Sequence, residues 1–150
     1  MPSRIWTVGY EQITQSALVE CLVNAAVEVL ADVRYLPLSR RPGFSKNSLR
    51  AAVEEAGIGY RHFRHLGTPT EGRAAARRGD LAELDRIYSG QLELPEALAQ
   101  MAELRTLAET GRVALLCYER KAAECHRSLL VSALFDGFER VDLLPELVRG

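Results

Sequence analysis

Long apolar runs and an even set of cysteines are both missing from this 150-residue chain. No run approaches the ~18 consecutive apolar residues of a membrane-spanning helix, and the N-terminal segment lacks a signal-peptide apolar region. Cysteine occurs only at positions 21, 117 and 125. This odd number disfavours a secreted disulfide framework and favours thiols in a reducing compartment. We therefore expect a cytoplasmic protein without a membrane partner.

Net charge is also nearly absent, at −1, but it is unevenly distributed. Residues 34–78 carry ten Lys/Arg and three Glu, a net charge of +7, which leaves −8 for the other residues. A basic segment of this kind often binds an anionic ligand, such as a phosphate ester or nucleic acid. The alternative is a solvated arginine-rich surface that is balanced by acidic helices elsewhere.

Strand-like apolar runs alternate with helical spacing along the whole chain. The strands are predicted at 4–10, 27–34, 57–63, 112–118 and 139–144. Helices are predicted between the strands, whereas residues 64–79 are predicted to form a loop. Alternating strands and helices imply right-handed crossovers and a mostly parallel sheet that is covered on both faces. The prediction is a single α/β domain over residues 1–150, a Rossmann-like three-layer sandwich with about five strands.

Polar residues follow four of the predicted strands. Tyr10 lies at the end of the first strand and Arg34 at the end of the second, His62 and His65 lie at and after the end of the third, and residues 117–119 end the fourth. In parallel α/β sheets, ligands bind outside the carboxyl ends of the strands. These side chains are therefore predicted to meet at one rim of the sheet.

The segment CYERKAAECHRS, residues 117–128, is compatible with several kinds of site. Cys117, Cys125 and His126 have the chemistry of zinc ligands, but their spacing is unfavourable. Adjacent residues on a helix, as Cys125 and His126 would be, point about 100° apart and rarely share one ion. We expect neither a metal ion nor another cofactor.

Cys125 is a candidate nucleophile at the start of the last predicted helix. A helix N-terminus with His126 and Arg127 nearby favours the thiolate form. Glu119 is the candidate acid or base, together with His126. The segment does not fit a tyrosine-phosphatase or rhodanese loop, since the residue six positions after Cys117 is Ala123 rather than arginine. The alternative is that both cysteines only pack in the fold.

An anion-binding pocket is the third hypothesis for the same rim of the sheet. The amides at the start of the last helix attract negative charge, and Arg127 adds a bidentate donor. Arg34 at a strand end and Arg40 in the following loop could reach the same anion. The alternative is that carboxylates such as Asp32 and Glu119 pair with these arginines inside the protein.

Four motifs lie along the chain beside the predicted strand ends: TVGYE at 7–11, DVRYLPLSRRPGFSK at 32–46, GIGYRHFRHLG at 57–67 and LLCYERKAAECHR at 115–127. Together they closely resemble the bacterial and archaeal family catalogued as domain of unknown function 488. The matching positions are Gly9, Tyr10, Asp32, Arg34, Ser39, Arg40, Gly43, Phe44, Leu66, Gly67, Cys117, Glu119, Cys125, His126 and Arg127. The chain departs from the family pattern at Thr68, where a second glycine is usual.

The resemblance implies an α/β fold and a shared pocket but no established reaction. It implies that Tyr10 and Ser39 belong to a ligand-binding set with Arg34, Arg40 and Arg127. The leading hypothesis is an enzyme, a hydrolase or transferase, that acts on a phosphate-bearing small molecule or a nucleic-acid end. The alternatives are a non-catalytic nucleic-acid-binding module that uses the +7 segment, and a scaffold whose arginines are paired internally.

Overall fold

The computed structural model describes residues 3–120 and 126–147, which contain a five-stranded sheet. The strand order is β3-β2-β4-β1-β5, and every neighbouring pair of strands is parallel. The strands are β1 Arg4–Gly9, β2 Val29–Asp32, β3 Gly59–His62, β4 Val113–Cys117 and β5 Glu139–Leu143. The predicted α/β class with a parallel sheet of five strands is confirmed.

Helices cover both faces of the sheet. The described helices are α1 Gln15–Asn24, α2 Lys46–Glu55, α3 Thr70–Arg77, α4 Leu81–Leu92, α5 Pro95–Thr110 and α6 His126–Leu134. Helices α1 and α2 pack on one face, and α4, α5 and α6 pack on the other. The chain moves across the sheet in one direction from β1 to β3 and in the opposite direction afterwards, so right-handed crossovers place the two helix sets on opposite faces.

The signals that start and end these helices act as the sequence indicates. Asp80 accepts a hydrogen bond from the backbone amide of Glu83 at 3.1 Å, which caps α4. Pro95 is the first residue of α5. Gly57 follows α2 with a φ of +83°, a left-handed conformation that glycine adopts without strain. None of the helices in the two described ranges has the length and apolar character needed to cross a membrane.

One helix lies where the sequence predicts a loop. Residues 64–79 include a short 3₁₀ turn, Arg64–Leu66, and the helix α3. The prediction failed because α3 buries only Gly72 and Ala75, so it has no row of large apolar residues to reveal its period. Its alanines favour a helix through their intrinsic propensity instead. The arginines of this segment are therefore held on a helix and at its end.

The carboxyl ends of the central strands meet at a crevice. Strand β4 lies between β2 and β1, but the chain leaves β4 towards the face opposite to that of α1 and α2. Such a reversal opens a crevice at the strand ends. Two glycines allow the close packing there, because a Cβ on Gly9 would collide with the carbonyl of Glu119, and one on Gly67 with the backbone of Tyr35.

Candidate functional site

A cleft of about 810 Å³ opens at the carboxyl ends of β1, β2 and β4. One wall consists of residues that follow these strands, and the other consists of α3 with the start of α4. Of the residues predicted to form the site, the cleft is lined by Tyr10, Arg34, Glu119 and His126. The predicted meeting of strand ends at one rim is thus confirmed for the segments after β1, β2 and β4.

Arg34 is held by a buried ion pair at the base of this cleft. Its Nη2 lies 2.7 Å from Oδ2 of Asp32 and its Nε lies 2.8 Å from Oδ1, while Nη1 donates to the carbonyl of Phe44 at 2.6 Å. Tyr60 donates its hydroxyl to the same fully buried carboxylate. Burial disfavours the charge on Arg34, but the hydrogen bonds and charge of Asp32 outweigh it and raise the pKa of Arg34 above its ordinary value. The structure therefore contains the internal pair that the sequence left open as an alternative.

Tyr10 forms an aromatic wall beside this pair. Its ring stacks on Phe44 at a centroid distance of 4.7 Å and meets Tyr118 edge to face at 5.3 Å. The Arg34 guanidinium carbon lies 5.3 Å from the centroid of the Tyr10 ring, within the range of a cation–π contact. Tyr118 is the exposed member of the group, with 45% of its surface accessible. The cleft thus has an accessible aromatic ring that rests on the stacked rings of Tyr10 and Phe44.

Arg127 connects α6 to the segment that follows β4. Only 1% of its surface is exposed, and its Nη2 donates to the carbonyls of Glu119 at 2.8 Å and Arg120 at 3.1 Å. Burial lowers the pKa of Arg127 to about 10, although the nearby charges of Asp142 and Glu119 oppose this. The guanidinium is therefore still charged at neutral pH and binds backbone oxygens of the cleft rim.

His126 is neutral at physiological pH. Its Nε2 lies 2.8 Å from the carbonyl oxygen of Val33, so this nitrogen carries the proton and donates it. Burial, together with the charge of Arg127, lowers the pKa of His126 to about 4 although the bond to Val33 opposes the change. The imidazole also packs against Tyr88, with the ring centroids 5.1 Å apart. These contacts suit a residue that positions the cleft wall better than one that supplies protons as a general acid.

Ser39 and Arg40 are not among the residues that line the cleft. The Ser39 hydroxyl accepts a hydrogen bond from the amide of Arg41 at 3.1 Å, and the Ser39 amide donates to Ser45 at 3.0 Å, so Ser39 braces its own loop. Arg40 is exposed. Arg41 instead anchors the loop by donating to the carbonyl of Ile13 at 2.5 Å. The predicted set of ligand-binding residues is therefore only partly brought together.

Two of the three cysteines lie in the described ranges. Cys117 is buried at the end of β4 and lines the cleft, and it is disulfide-bonded, so the expectation of a free thiol is wrong at this position. Cys21 is free on α1, and burial raises the pKa of its thiol. Cys125, the candidate nucleophile, lies outside the described residues. Within residues 3–120 and 126–147, no group of three His, Cys, Asp or Glu side chains could hold a metal ion.

The second wall of the cleft contains residues that sequence reasoning missed. Thr68, Arg73, Arg77 and Arg78 line it. Arg73 donates from Nη2 to the hydroxyl of Thr70 at 3.2 Å, but its Nε is buried and has no hydrogen-bond partner among the described residues. The hydroxyl of Thr68 is likewise buried and has no hydrogen-bond partner among the described residues. The sequence signal was the run RAAARR, residues 73–78, inside the +7 segment.

The parallel sheet, the helices on both faces and the cleft at the strand ends define a doubly wound, Rossmann-like α/β protein. The chain belongs to the family described as Domain of unknown function DUF488, whose model matches residues 14–134. The family assignment made from the motifs is confirmed. No curated protein and no solved structure matches the chain.

Proposed function

We propose that the cleft binds a small phosphate-bearing ligand, such as a nucleotide, with its phosphate against α3. The proposal rests on the difference in ion pairing between the arginines of the cleft. Arg34 pairs with Asp32, and Nη2 of Arg78 lies 3.7 Å from Oδ2 of Asp80. Arg73 and Arg77 line the cleft without an ion pair to any carboxylate of the described residues. An anionic ligand would neutralise these two charges.

The distribution of charge across the cleft supports this orientation of the ligand. Arg73, Arg77 and Arg78 are all on the α3 wall, whereas Glu11 and Glu119 are on the wall formed by the strand ends. A guanidinium recognises phosphate through two parallel hydrogen bonds, and at Arg73 partial burial strengthens that attraction. The carboxylates repel phosphate but accept hydrogen bonds from hydroxyl groups, such as those of a ribose. A nucleotide would match both walls at once.

The size and the aromatic lining of the cleft fit the same class of ligand. A volume of about 810 Å³ is within the usual range of small-molecule sites, ~300–1,000 Å³. The exposed ring of Tyr118 rests edge to face on Tyr10, and a nucleobase gains about 1–3 kcal/mol from stacking on such a ring. The base is therefore proposed to lie on Tyr118 and the phosphate near Arg73.

Catalysis on the bound ligand is the second candidate, and the position of Glu119 favours it. Glu119 lines the same cleft as Arg73 and Arg77, where its carboxylate could act as acid or base on a bound phosphate ester. The role of Cys125 as nucleophile stays a prediction from the sequence, and it requires the thiol to be reduced. The reaction would be a hydrolysis or a transfer. The cytoplasmic location expected from the sequence also stays a prediction, which cell fractionation would check.

Binding to nucleic acid through the whole basic segment is less favoured by the contacts. Four of its ten basic residues form ion pairs within the fold: Arg34 with Asp32, Arg50 with Glu54, Arg61 with Glu103 and Arg78 with Asp80. These pairs reduce the charge available to a polynucleotide backbone, which is bound mainly through its phosphates. The remaining cations are better suited to a single phosphate group in the cleft than to an extended backbone.

Calorimetric titration tests the proposal. The ligands are the four ribonucleoside 5′-monophosphates, with adenosine as the control that lacks phosphate. We expect at least one monophosphate to bind, adenosine to bind more weakly by a factor of about ten or more, and Arg73→Ala and Arg77→Ala each to weaken binding about tenfold, because each removes a charged hydrogen-bond donor. Arg50→Ala, which removes an exposed arginine on the opposite helix layer, is the matched control and is expected to leave affinity unchanged.

Two results would contradict the proposal. One is the absence of binding by every monophosphate at low salt. The other is binding to single-stranded RNA that weakens steeply between ~50 and ~200 mM salt and depends equally on Arg50 and Arg73, because that pattern belongs to diffuse phosphate contacts.

A further inference from the structure

Thr68 is a buried hydroxyl on the wall of the cleft. Only 3% of its surface is exposed, and its Oγ1 has no hydrogen-bond partner among the described residues. Most buried polar groups in folded proteins are hydrogen-bonded, because an unsatisfied group keeps the full cost of leaving water. A threonine in this condition beside a cleft needs an explanation, since valine would fill the same space without that cost.

The packing around Thr68 holds its side chain in place. Gly67 precedes it and permits the close approach of the Tyr35 backbone. On the other side, a Cβ at Gly72 would collide with the Cγ2 methyl of Thr68, so this methyl fills the space that Gly72 leaves in α3. A branched side chain has few rotamers even without such contacts. The Thr68 side chain is therefore held in one orientation.

A second unsatisfied donor lies on the same wall. Nε of Arg73 is also buried without a partner among the described residues, and Arg73 lines the cleft with Thr68. The two atoms belong to different kinds of side chain, yet both can donate a hydrogen bond, and Nε can only donate. Two such donors call for a ligand atom that accepts, and an anionic phosphate oxygen accepts most strongly.

We propose that the Thr68 hydroxyl and Arg73 Nε jointly bind the phosphate oxygens of the ligand, which makes Thr68 a specificity-determining residue of the cleft. This inference rests on the proposed function and assigns part of the recognition to a neutral side chain. Neither donor is accessible to water in the unliganded cleft, so a small displacement of α3 must accompany binding and let the hydroxyl donate to the phosphate.

The test compares Thr68→Val, which keeps the shape and removes the hydroxyl, with Thr68→Ser, which keeps the hydroxyl. The probe is inorganic pyrophosphate, titrated at low salt. We expect Thr68→Val to weaken binding about tenfold, as for the loss of a hydrogen bond to a charged group, and Thr68→Ser to stay within about threefold of the parent. The melting temperature of unliganded Thr68→Val is expected to rise by about 2–4 °C, because the unsatisfied hydroxyl is gone.

The opposite signs of these two effects distinguish recognition from a structural role. A structural hydroxyl would lower the melting temperature when replaced by valine and would leave pyrophosphate affinity unchanged, and either result overturns the inference. Failure of the parent protein to bind pyrophosphate and every monophosphate would overturn the proposed function, and the role of Thr68 with it. Binding that depends on Arg73 but is equal in the parent and Thr68→Val would overturn the role of Thr68 alone.

Discussion

The buried ion pair beneath the cleft allows a quantitative prediction for the change Asp32→Asn. The carboxylate of Asp32 is fully buried and contacts Arg34, which is 6% exposed, at 2.7 and 2.8 Å. Asparagine has the same shape and can still accept from Tyr60, but it leaves the guanidinium charge without a counter-ion. Removing one partner of a buried pair costs about 3–5 kcal/mol. For a protein of this size, the melting temperature should fall by about 6–20 °C.

The exposed pair of Arg50 with Glu54 is the matched control for this prediction. Both side chains are about half exposed, and such pairs contribute only about 0–1 kcal/mol. Glu54→Gln should therefore lower the melting temperature by less than about 4 °C. Both variants are compared by thermal unfolding followed by circular dichroism, at a pH near 7.

A double-mutant cycle separates charge burial from simple loss of packing. Arg34→Met removes the cation, and the pair Asp32→Asn with Arg34→Met leaves no buried charge at this position. We expect the double variant to lose clearly less stability than the sum of the two single losses, because the charges depend on each other. If Asp32→Asn destabilises no more than Glu54→Gln, or the losses simply add, the reasoning about this ion pair is wrong.

Three further predictions concern the surroundings of the cleft. Gly9→Ala should severely destabilise the protein, because the new Cβ collides with a backbone carbonyl after β4. Gly90→Ala lies in open space on α4 and should raise the free energy of unfolding by about 0.5–1 kcal/mol. Chemical denaturation measures both, and equal effects of the two variants would contradict the packing at Gly9. The pKa of His126 is about 4 in the folded state and 6.5 ordinarily, so stability present above pH 6.5 should be lost as the pH falls towards 4, by up to about 3 kcal/mol. The free energy of unfolding of His126→Gln should not fall in this way between pH 6.5 and 4. If this variant and the parent protein show the same pH dependence in denaturation curves, the prediction for His126 is wrong. Alkylation should leave Cys117 unmodified until a reductant is added, since this residue is disulfide-bonded, and peptide mapping would show it. After reduction, Cys125 should react fastest of the three cysteines. Slower alkylation of Cys125 would contradict its predicted place at a helix start.

The fold was predictable because its elements carry strong local signals. The strand β4, VALLC, is apolar throughout, as expected for a strand buried on both faces, and Pro95 and Asp80 mark helix starts unambiguously. Helix α3 was not predictable by the same means. Its buried face consists of Gly72 and Ala75, which packs closely without providing a row of large apolar residues. The wall of the cleft that α3 forms was missed for this reason.

The candidate site was predictable only in its location. Tyr10, Arg34 and Glu119 follow the carboxyl ends of parallel strands and therefore lie at one rim, whatever contacts they make there. The location of the rim was therefore predictable from the order of strands and helices. The contacts of Arg34 did not follow, because a sequence does not show whether a carboxylate two residues away will turn towards it. The Asp32 carboxylate does so here. Thr68 was noticed only as a departure from the family pattern, and its unsatisfied hydroxyl depends on packing that no sequence pattern records.

A crystal structure determined with saturating inorganic pyrophosphate would show directly whether the cleft binds phosphate. We expect the anion inside the cleft, with phosphate oxygens within about 3.2 Å of Arg73 Nε and the Thr68 hydroxyl. We also expect the pair of Arg34 with Asp32 to stay intact beneath the ligand. An empty cleft under these conditions, or an anion bound only on the outer surface away from α3, would contradict the proposed function.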